Sequence, residues 1–402
     1  MVTALEAGTG AASRATVDSA VEPTVRRNGA GPGLRRPPAD RRSAPPASLA
    51  SPAERQYLQI GDLILESGTG LADVTVCFQS WGRLNEAGDN AVLVLHALTG
   101  DSHVIGPVGP DHPTPGWWDG LIGPGAPLDD EKYFVLAANV LGGCRGTTGP
   151  SSAAPDGQPY GSRFPSLTIR DQVATEAVLA QRLGVRSFAA VLGGSMGGMR
   201  ALEWGAMYPD RVRKVIAIAT TAAASGDQIA WAAAQLAAVR MDPHFAGGDY
   251  YGGAAPLAGL SVARQIAHTT YRSGYEFNTR FGRALQPDVD PPQFAVESYL
   301  RYHGDKLGRR FDANSYLVLT EAMNSHDLGR GRGGIDAALQ RFPVDLTVAV
   351  VDSDRLYTPA EGARIAAAPT AAPLITMHSD HGHDGFLIEA AQVAAVVREA
   401  LG

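Results

Sequence analysis

From about residue 57 onward, short apolar runs alternate with helical patterns, then stop, then resume near the C-terminus. Residues 74–78, 91–95, 134–138, 188–192, 215–219 and 346–351 read as strands. Several are apolar at every position, as in a sheet that helices cover on both faces. Helical patterns at 169–183 and 198–208 lie between them. Such alternation predicts an α/β fold with an open, mostly parallel central sheet. Between 220 and 341 the rhythm changes, with helical patterns over 229–239, 262–271 and 314–323. Helix over so long a span between two core strands is the signature of an inserted lid. The expected organisation is a core of residues 53–220 and 342–402, with a helical lid at 221–341. Residues 1–52 are rich in Ala, Arg, Pro, Gly and Ser and contain no Ile, Phe, Tyr or Trp. Too little apolar surface is available there to offset chain entropy, so a disordered tail is expected. The paired arginines at 35–36 and 41–42 lack a following apolar segment, which argues against an export signal.

Composition narrows the class. A formal charge of −7 leaves little to gain from counterion release at phosphates, so nucleic acid is not an expected partner. Two cysteines, Cys77 and Cys144, make no disulfide framework and fit a reducing cytoplasm. No run is apolar over the ~18 residues that a membrane span needs. There is no phosphate-binding P-loop pattern and no histidine pair at metal spacing backed by a third ligand, so neither a metal nor a bound cofactor is expected.

The most specific local signal is GGSMGG at 193–198, directly after an apolar run and directly before a helical pattern. In a G-x-S-x-G motif with strand before and helix after, the serine occupies a sharp turn where only small neighbours avoid clashing. Ser195 is therefore the expected nucleophile. The helix amides behind it can stabilise negative charge on an attacked carbonyl oxygen.

A serine needs a base, and in this fold the chain order is Ser, acid, His. Residues 350–356 (VVDSDRL) supply Asp352 and Asp354 at the end of a β run; residues 377–386 (MHSDHGHDGF) supply His378, His381 and His383. Pattern alone leaves the choice open, although Asp354 lies deeper in its loop and the glycine before His383 would let that ring turn inward. One oxyanion N–H should come from Met196. The other should come from the loop after run 91–95, with Leu98 the candidate and Thr99 close behind.

These residues carry a family resemblance. The blocks are HALTGDSH at 96–103, NVLGGCRGTTGPSS at 139–152, SRFP at 162–165, TIRD at 168–171, GGSMGGMRALEW at 193–204, NSHD at 324–327 and GHDGFL at 382–387. In order, from about residue 57 to the C-terminus, they resemble homoserine O-acetyltransferase, an α/β-hydrolase-fold enzyme that opens methionine biosynthesis in many bacteria. The resemblance implies a Ser195–His383–Asp354 triad, choosing Asp354 over Asp352 and His383 over its neighbours. It implies a ping-pong reaction in which Ser195 takes an acetyl group from acetyl-CoA and the hydroxyl of L-homoserine then removes it. Acetyl-CoA is thus a co-substrate, not a bound cofactor. The resemblance also implies that Arg264 clamps the homoserine carboxylate, that Tyr271 contacts the same substrate, that Asp384 pairs with the ammonium, and that the chain forms a homodimer through its lid helices. By residue type alone Arg264 would be a solvated helix charge, and Asp384 could simply brace its loop.

Arg145 departs from the neutral residue expected in this family. Facing the acyl pocket, it would favour succinyl-CoA; exposed on its loop, it would be a bystander. The rival readings are homoserine O-succinyltransferase, a serine O-acyltransferase, an esterase, and a non-enzymatic module that has kept the fold. An esterase has no need of Arg264, Tyr271 and Asp384 together. A module without activity would be free to lose the Ser, Asp or His, and all three are present in order.

Overall fold

The computed structural model describes residues 54–110, 112–286 and 290–402. The expected tail at 1–52 lies outside them.

The strands are β1 (Gln56–Ile64), β2 (Gly70–Trp81), β3 (Ala91–Leu95), β4 (Phe134–Ala138), β5 (Phe188–Gly194), β6 (Lys214–Ile218), β7 (Leu285–Gln286), β8 (Gln293–Phe294), β9 (Asp345–Val351) and β10 (Ile375–Met377). All but β7 and β8 join one sheet in the order β1-β2-β4-β3-β5-β6-β9-β10. The β1–β2 and β2–β4 pairs are antiparallel and the rest are parallel, as the alternation predicts.

Side chains alternate between the faces of these strands, and two separate cores result. Leu93, Leu95, Val191, Val215 and Val348 pack on one face against α1 (Ile169–Arg182) and α2 (Met196–Met207). Val92, Val94, Leu192, Ile216 and Val351 pack on the other. That second face is covered by the C-terminal helix, and beside it Trp118, Leu121, Ile122 and Leu128 come from a long loop rather than from a helix. Coverage by helices on both sides is thus only half the arrangement.

Between β6 and β9 the chain forms α3 (Gly226–Arg240), α4 (Leu257–Tyr271), α5 (Gly274–Arg280), α6 (Ala295–Gly308), α7 (Ala313–Asn324) and α8 (Ile335–Gln340), with the short β7–β8 hairpin among them. Beyond β9 lie α9 (Pro359–Ile365), α10 (Gly385–Ile388) and α11 (Ala390–Leu401). Charged side chains tie the inserted helices to the core. Glu203 on α2 accepts from Arg170 Nε at 3.1 Å and from Arg332 Nη2 at 2.8 Å, while Arg330 bonds both oxygens of Glu66 at 2.9 Å. The TIRD block is a helix start: Thr168 and Asp171 cap α1 reciprocally, and the second Asp171 oxygen takes the Glu66 amide at 2.6 Å.

A buried cluster sets α1, α2 and the loop after β3 in register. Arg200 Nη1 bonds Glu176 Oε1 at 2.6 Å, Trp204 Nε1 bonds Glu176 Oε2 at 2.8 Å, and Arg200 Nη2 donates to the His96 carbonyl. Removing one partner of such a pair leaves an uncompensated buried charge. Glu176→Ala is expected to lower the unfolding free energy by ~3–5 kcal/mol. A urea midpoint shift at unchanged m-value reads this; a loss under about 1 kcal/mol, the usual worth of an exposed pair, would show that this pair is not what holds the layers together.

Candidate active site

The site is built on the step from β5 to α2. Ser195 has φ 58° and ψ −124°, a conformation that L residues adopt only where the surroundings enforce it. Its amide donates to Ile218 O at 3.0 Å, and its carbonyl accepts from Thr220 Oγ1 at 2.8 Å, so the end of β6 grips it from both sides. A Cβ on Gly197 would lie 2.1 Å from the Leu95 carbonyl oxygen. Only glycine allows α2 to start that close to the end of β3. Met196 is buried in the first turn of α2, where amides lack intrahelical acceptors.

On the opposite side, Asp354 and His383 meet. His383 Nδ1 lies 2.7 Å from Asp354 Oδ2, and Asp354 Oδ1 accepts the amides of Leu356 and Tyr357 at 2.8 and 2.9 Å. With Nδ1 donating to the carboxylate, Nε2 is the nitrogen that can accept a proton. Both residues are buried, as is Ser195. Gly382 lets the loop turn: its φ is 68°, and a Cβ there would stand 2.7 Å from Ser273 N and 3.0 Å from Tyr271 O at the end of α4. Asp352, by contrast, pairs with the exposed His378 at 2.8 Å, and His381 faces Glu276 at 3.3 Å. His378 lies just past the end of β10.

Two aromatic rings join the halves. Phe386 packs on the backbone of Gly194, and its ring centre is 5.1 Å from that of His383. Tyr357, a residue sequence reasoning passed over, lies close enough to Ser195 for the serine hydroxyl to act on its phenol, and its ring lies 5.0 Å from His383. Burial raises its phenol well above the ordinary value, so it stays protonated. Its only sequence signal is its place three residues after Asp354; an aromatic there otherwise reads as core.

Leu98 is buried and lines a cavity of about 40 Å³ with Met199, Trp231, Tyr271, Leu356 and Tyr357. Thr99 turns its carbonyl to Arg310 Nη1 at 2.9 Å. Tyr271 is 5.8 Å from His383 between ring centres, and the Arg264 guanidinium sits 5.0 Å over the Tyr271 ring. Asp384 is in an ion pair with Arg272 at 3.1 Å; burial nevertheless holds its carboxyl above the ordinary value. Arg145 is half-buried: its Nη2 donates to the Arg310 carbonyl, and its side chain borders a separate small void with His96 and Cys144. Among the described residues no group of three His, Cys, Asp or Glu is placed to hold a metal, and no helix is long and apolar enough to cross a membrane.

Residues 90–382 match the family model described as alpha/beta hydrolase fold. The chain is 56% identical over 357 residues to the homoserine O-acetyltransferase of Thermobifida fusca, covering 87% of this chain and 94% of that one. The chain belongs to the homoserine O-acetyltransferase family. Among solved structures, the homoserine O-acetyltransferase of Bacillus anthracis superposes with a TM-score of 0.80 at 25% identity, covering 87% of this chain and 97% of that one. Esterase E22 superposes equally well, with a TM-score of 0.80 at 25% identity and cover of 87% and 100%. The shared fold therefore does not separate transfer from hydrolysis, and residues around the serine must do so.

Two outcomes are expected here. Asp354→Asn should leave the fold intact and lower turnover by about 10⁴-fold, because His383 loses the partner that fixes its tautomer; turnover and circular dichroism measured together check this. The second concerns His96, whose Nδ1 donates to Ala97 O at 2.8 Å while Nε2 accepts the Val140 amide at 3.1 Å. Burial, then the charge of Arg200, holds its pKa down to about 3. Protons then bind the unfolded chain before the folded one as pH falls below about 6.5. Stability contributed by neutral His96 is full above that pH and is lost on the way down towards 3. His96→Asn should flatten the loss between pH 6.5 and 4 by up to ~1.4 kcal/mol per pH unit, seen in urea titrations at several pH values.

Proposed function

We propose that the chain transfers an acetyl group from acetyl-CoA to the side-chain hydroxyl of L-homoserine, releasing CoA and O-acetyl-L-homoserine. The observation that carries this reading is the buried His383–Asp354 pair, packed against Tyr357 and Tyr271, with Arg264 over the Tyr271 ring. A hydrolase needs the first part; the second suits a small zwitterion.

In the first half-reaction Ser195 Oγ attacks the thioester carbonyl while His383 Nε2 takes its proton. The developing oxyanion is held by the amides of Leu98 and Met196. The C–S bond breaks, the sulfur takes the proton from His383, and CoA leaves. In the second half, the homoserine hydroxyl gives its proton to His383 as it attacks the acyl-serine. The ester bond to Ser195 breaks, and the proton returns to Oγ. Arg264 holds the carboxylate, Tyr271 hydrogen-bonds the same substrate, and Asp384 exchanges part of its pairing with Arg272 for the substrate ammonium. No bound cofactor takes part.

The cavity beside Leu98 and Tyr357 is lined by no charged side chain and has room for only a few heavy atoms, which supports acetyl over succinyl. Residues 221–341 act as the lid over a core of 53–220 and 342–402, keeping water from the acyl-serine. Apolar residues exposed on the inserted helices, among them Val262 and Tyr302, together with Met241 just after α3, support a homodimer through that face. The place of work is the cytoplasm, in methionine biosynthesis. The likeness to esterase E22 keeps hydrolysis as the second reading.

CoA release by the purified protein separates these readings. Acetyl-CoA and succinyl-CoA are each offered with L-homoserine, L-serine or water. Release should require acetyl-CoA and homoserine together and fall on the order of 10⁶-fold in Ser195→Ala. Equal release with and without an amino acid would make water the acceptor and end the transferase reading.

A further inference from the structure

The cavity lined by Leu98, Tyr271 and Tyr357 is uncharged, but two guanidinium groups are anchored at its lining, one over Tyr271 and one on the residue after Leu98. Arg310, in the turn between α6 and α7, crosses to the core and donates Nη1 to Thr99 O at 2.9 Å, next to Leu98. Arg145 meets the same turn from the core side through the Arg310 carbonyl. Arg264 approaches from α4 above Tyr271. The three are near enough that Arg264 and Arg145, added to burial, bring Arg310 down to about 10.

Like charges gathered at a half-buried place call for counter-charge. Among the described residues none of the three has an ion pair. Asp101 and Asp384, whose charges reach this cluster, are already engaged. Asp101 takes the His103 amide at 3.0 Å and stands 3.9 Å from Arg55; Asp384 holds Arg272. Beyond its bond to Thr99, the Arg310 guanidinium has no hydrogen-bond partner among the described residues. Arg310 is thus held on Thr99, next to Leu98, and Arg264 on Tyr271, which packs beside His383, and Leu98 and Tyr271 face one cavity.

We propose that Arg310 and Arg264 together form a two-arginine site for the carboxylate of the acceptor amino acid, which makes Arg310 a specificity-determining residue. The inference rests on the proposed transfer to homoserine. Distance from the reacting centre selects this anion. Arg310 bonds the carbonyl of Thr99, the residue after Leu98, whereas the phosphates of CoA lie a whole pantetheine arm from the thioester. The carboxylate of homoserine is only a few bonds from its hydroxyl. A second acid on the acyl group would have to lie in the uncharged cavity, away from these cations. Two planar forks offered to one carboxylate also fix its direction, and with it the direction of the attacking hydroxyl.

The test compares L-homoserine with 3-amino-1-propanol, the same molecule without its carboxylate, as acceptors from acetyl-CoA. In Arg310→Met the ratio of kcat/KM for homoserine over the amino alcohol should fall by about 10- to 100-fold, with partial recovery in Arg310→Lys. A melting-temperature rise on adding homoserine to Ser195→Ala should shrink when Arg310→Met is added, which reads binding without turnover. An unchanged ratio overturns the proposal, whether both acceptors lose equally, as for a brace on Thr99, or the KM for acetyl-CoA alone rises, as for a CoA contact. A wild-type protein with no homoserine-dependent release overturns the proposed function and this inference with it; an active wild type with an unchanged ratio overturns the inference alone.

Discussion

The close approach of Gly197 to the Leu95 carbonyl sets the geometry on which the rest of the site depends. Leu95 ends β3 and leads into the loop that carries Leu98; Gly197 lies two residues past Ser195. One backbone contact therefore fixes the distance between Ser195 and the loop that carries Leu98. Around it, the strained Ser195 conformation is enforced by Ile218 O and Thr220 Oγ1, and the His96 carbonyl is held from beneath by buried Arg200. Rigidity here is bought with buried charge and unusual dihedrals, both tolerable only because the sheet on either side is fully packed.

That division explains what could be read from the residues alone. Strands 91–95 and 134–138 were legible to the residue because they are apolar on both faces. β1 was not, because it is an edge strand with an alternation of half-buried and exposed positions that includes Gln56, Gln59 and Asp62. Three-residue β10 is too short to show a period. Ser195 announced itself because its turn demands small neighbours, a requirement written in consecutive positions. Arg310 did not, since its neighbours Arg309 and Gly308 make it look like part of a solvated turn; only the crossing of the α6–α7 turn onto the loop after β3 gives it a place. Arg145 shows the converse: nothing in its sequence neighbourhood reveals that its guanidinium bonds the backbone carbonyl of Arg310.

The charge pattern is asymmetric in a useful way. The cavity between Leu98 and Tyr357, proposed to take the acyl group, has neutral walls. At the proposed amino-acid site, cations come from α4 and the α6–α7 turn, and one half-buried carboxylate comes from the His383 loop. Sorting a neutral donor group from a zwitterionic acceptor requires no moving part, only this separation of polarity across Tyr271.

The His383 loop is fastened to the inserted helices as well as to the turn that follows β9. Gly382 presses on the last turn of α4, and Ser273 Oγ donates to the Asp380 carbonyl. The insertion is consequently not an interchangeable cassette. A chimaera that exchanged it for a relative's, leaving residues 378–384 behind, would take away one side of the His383 loop's footing and leave only the side on Ser353 and Asp354, so the two segments are constrained to diverge together.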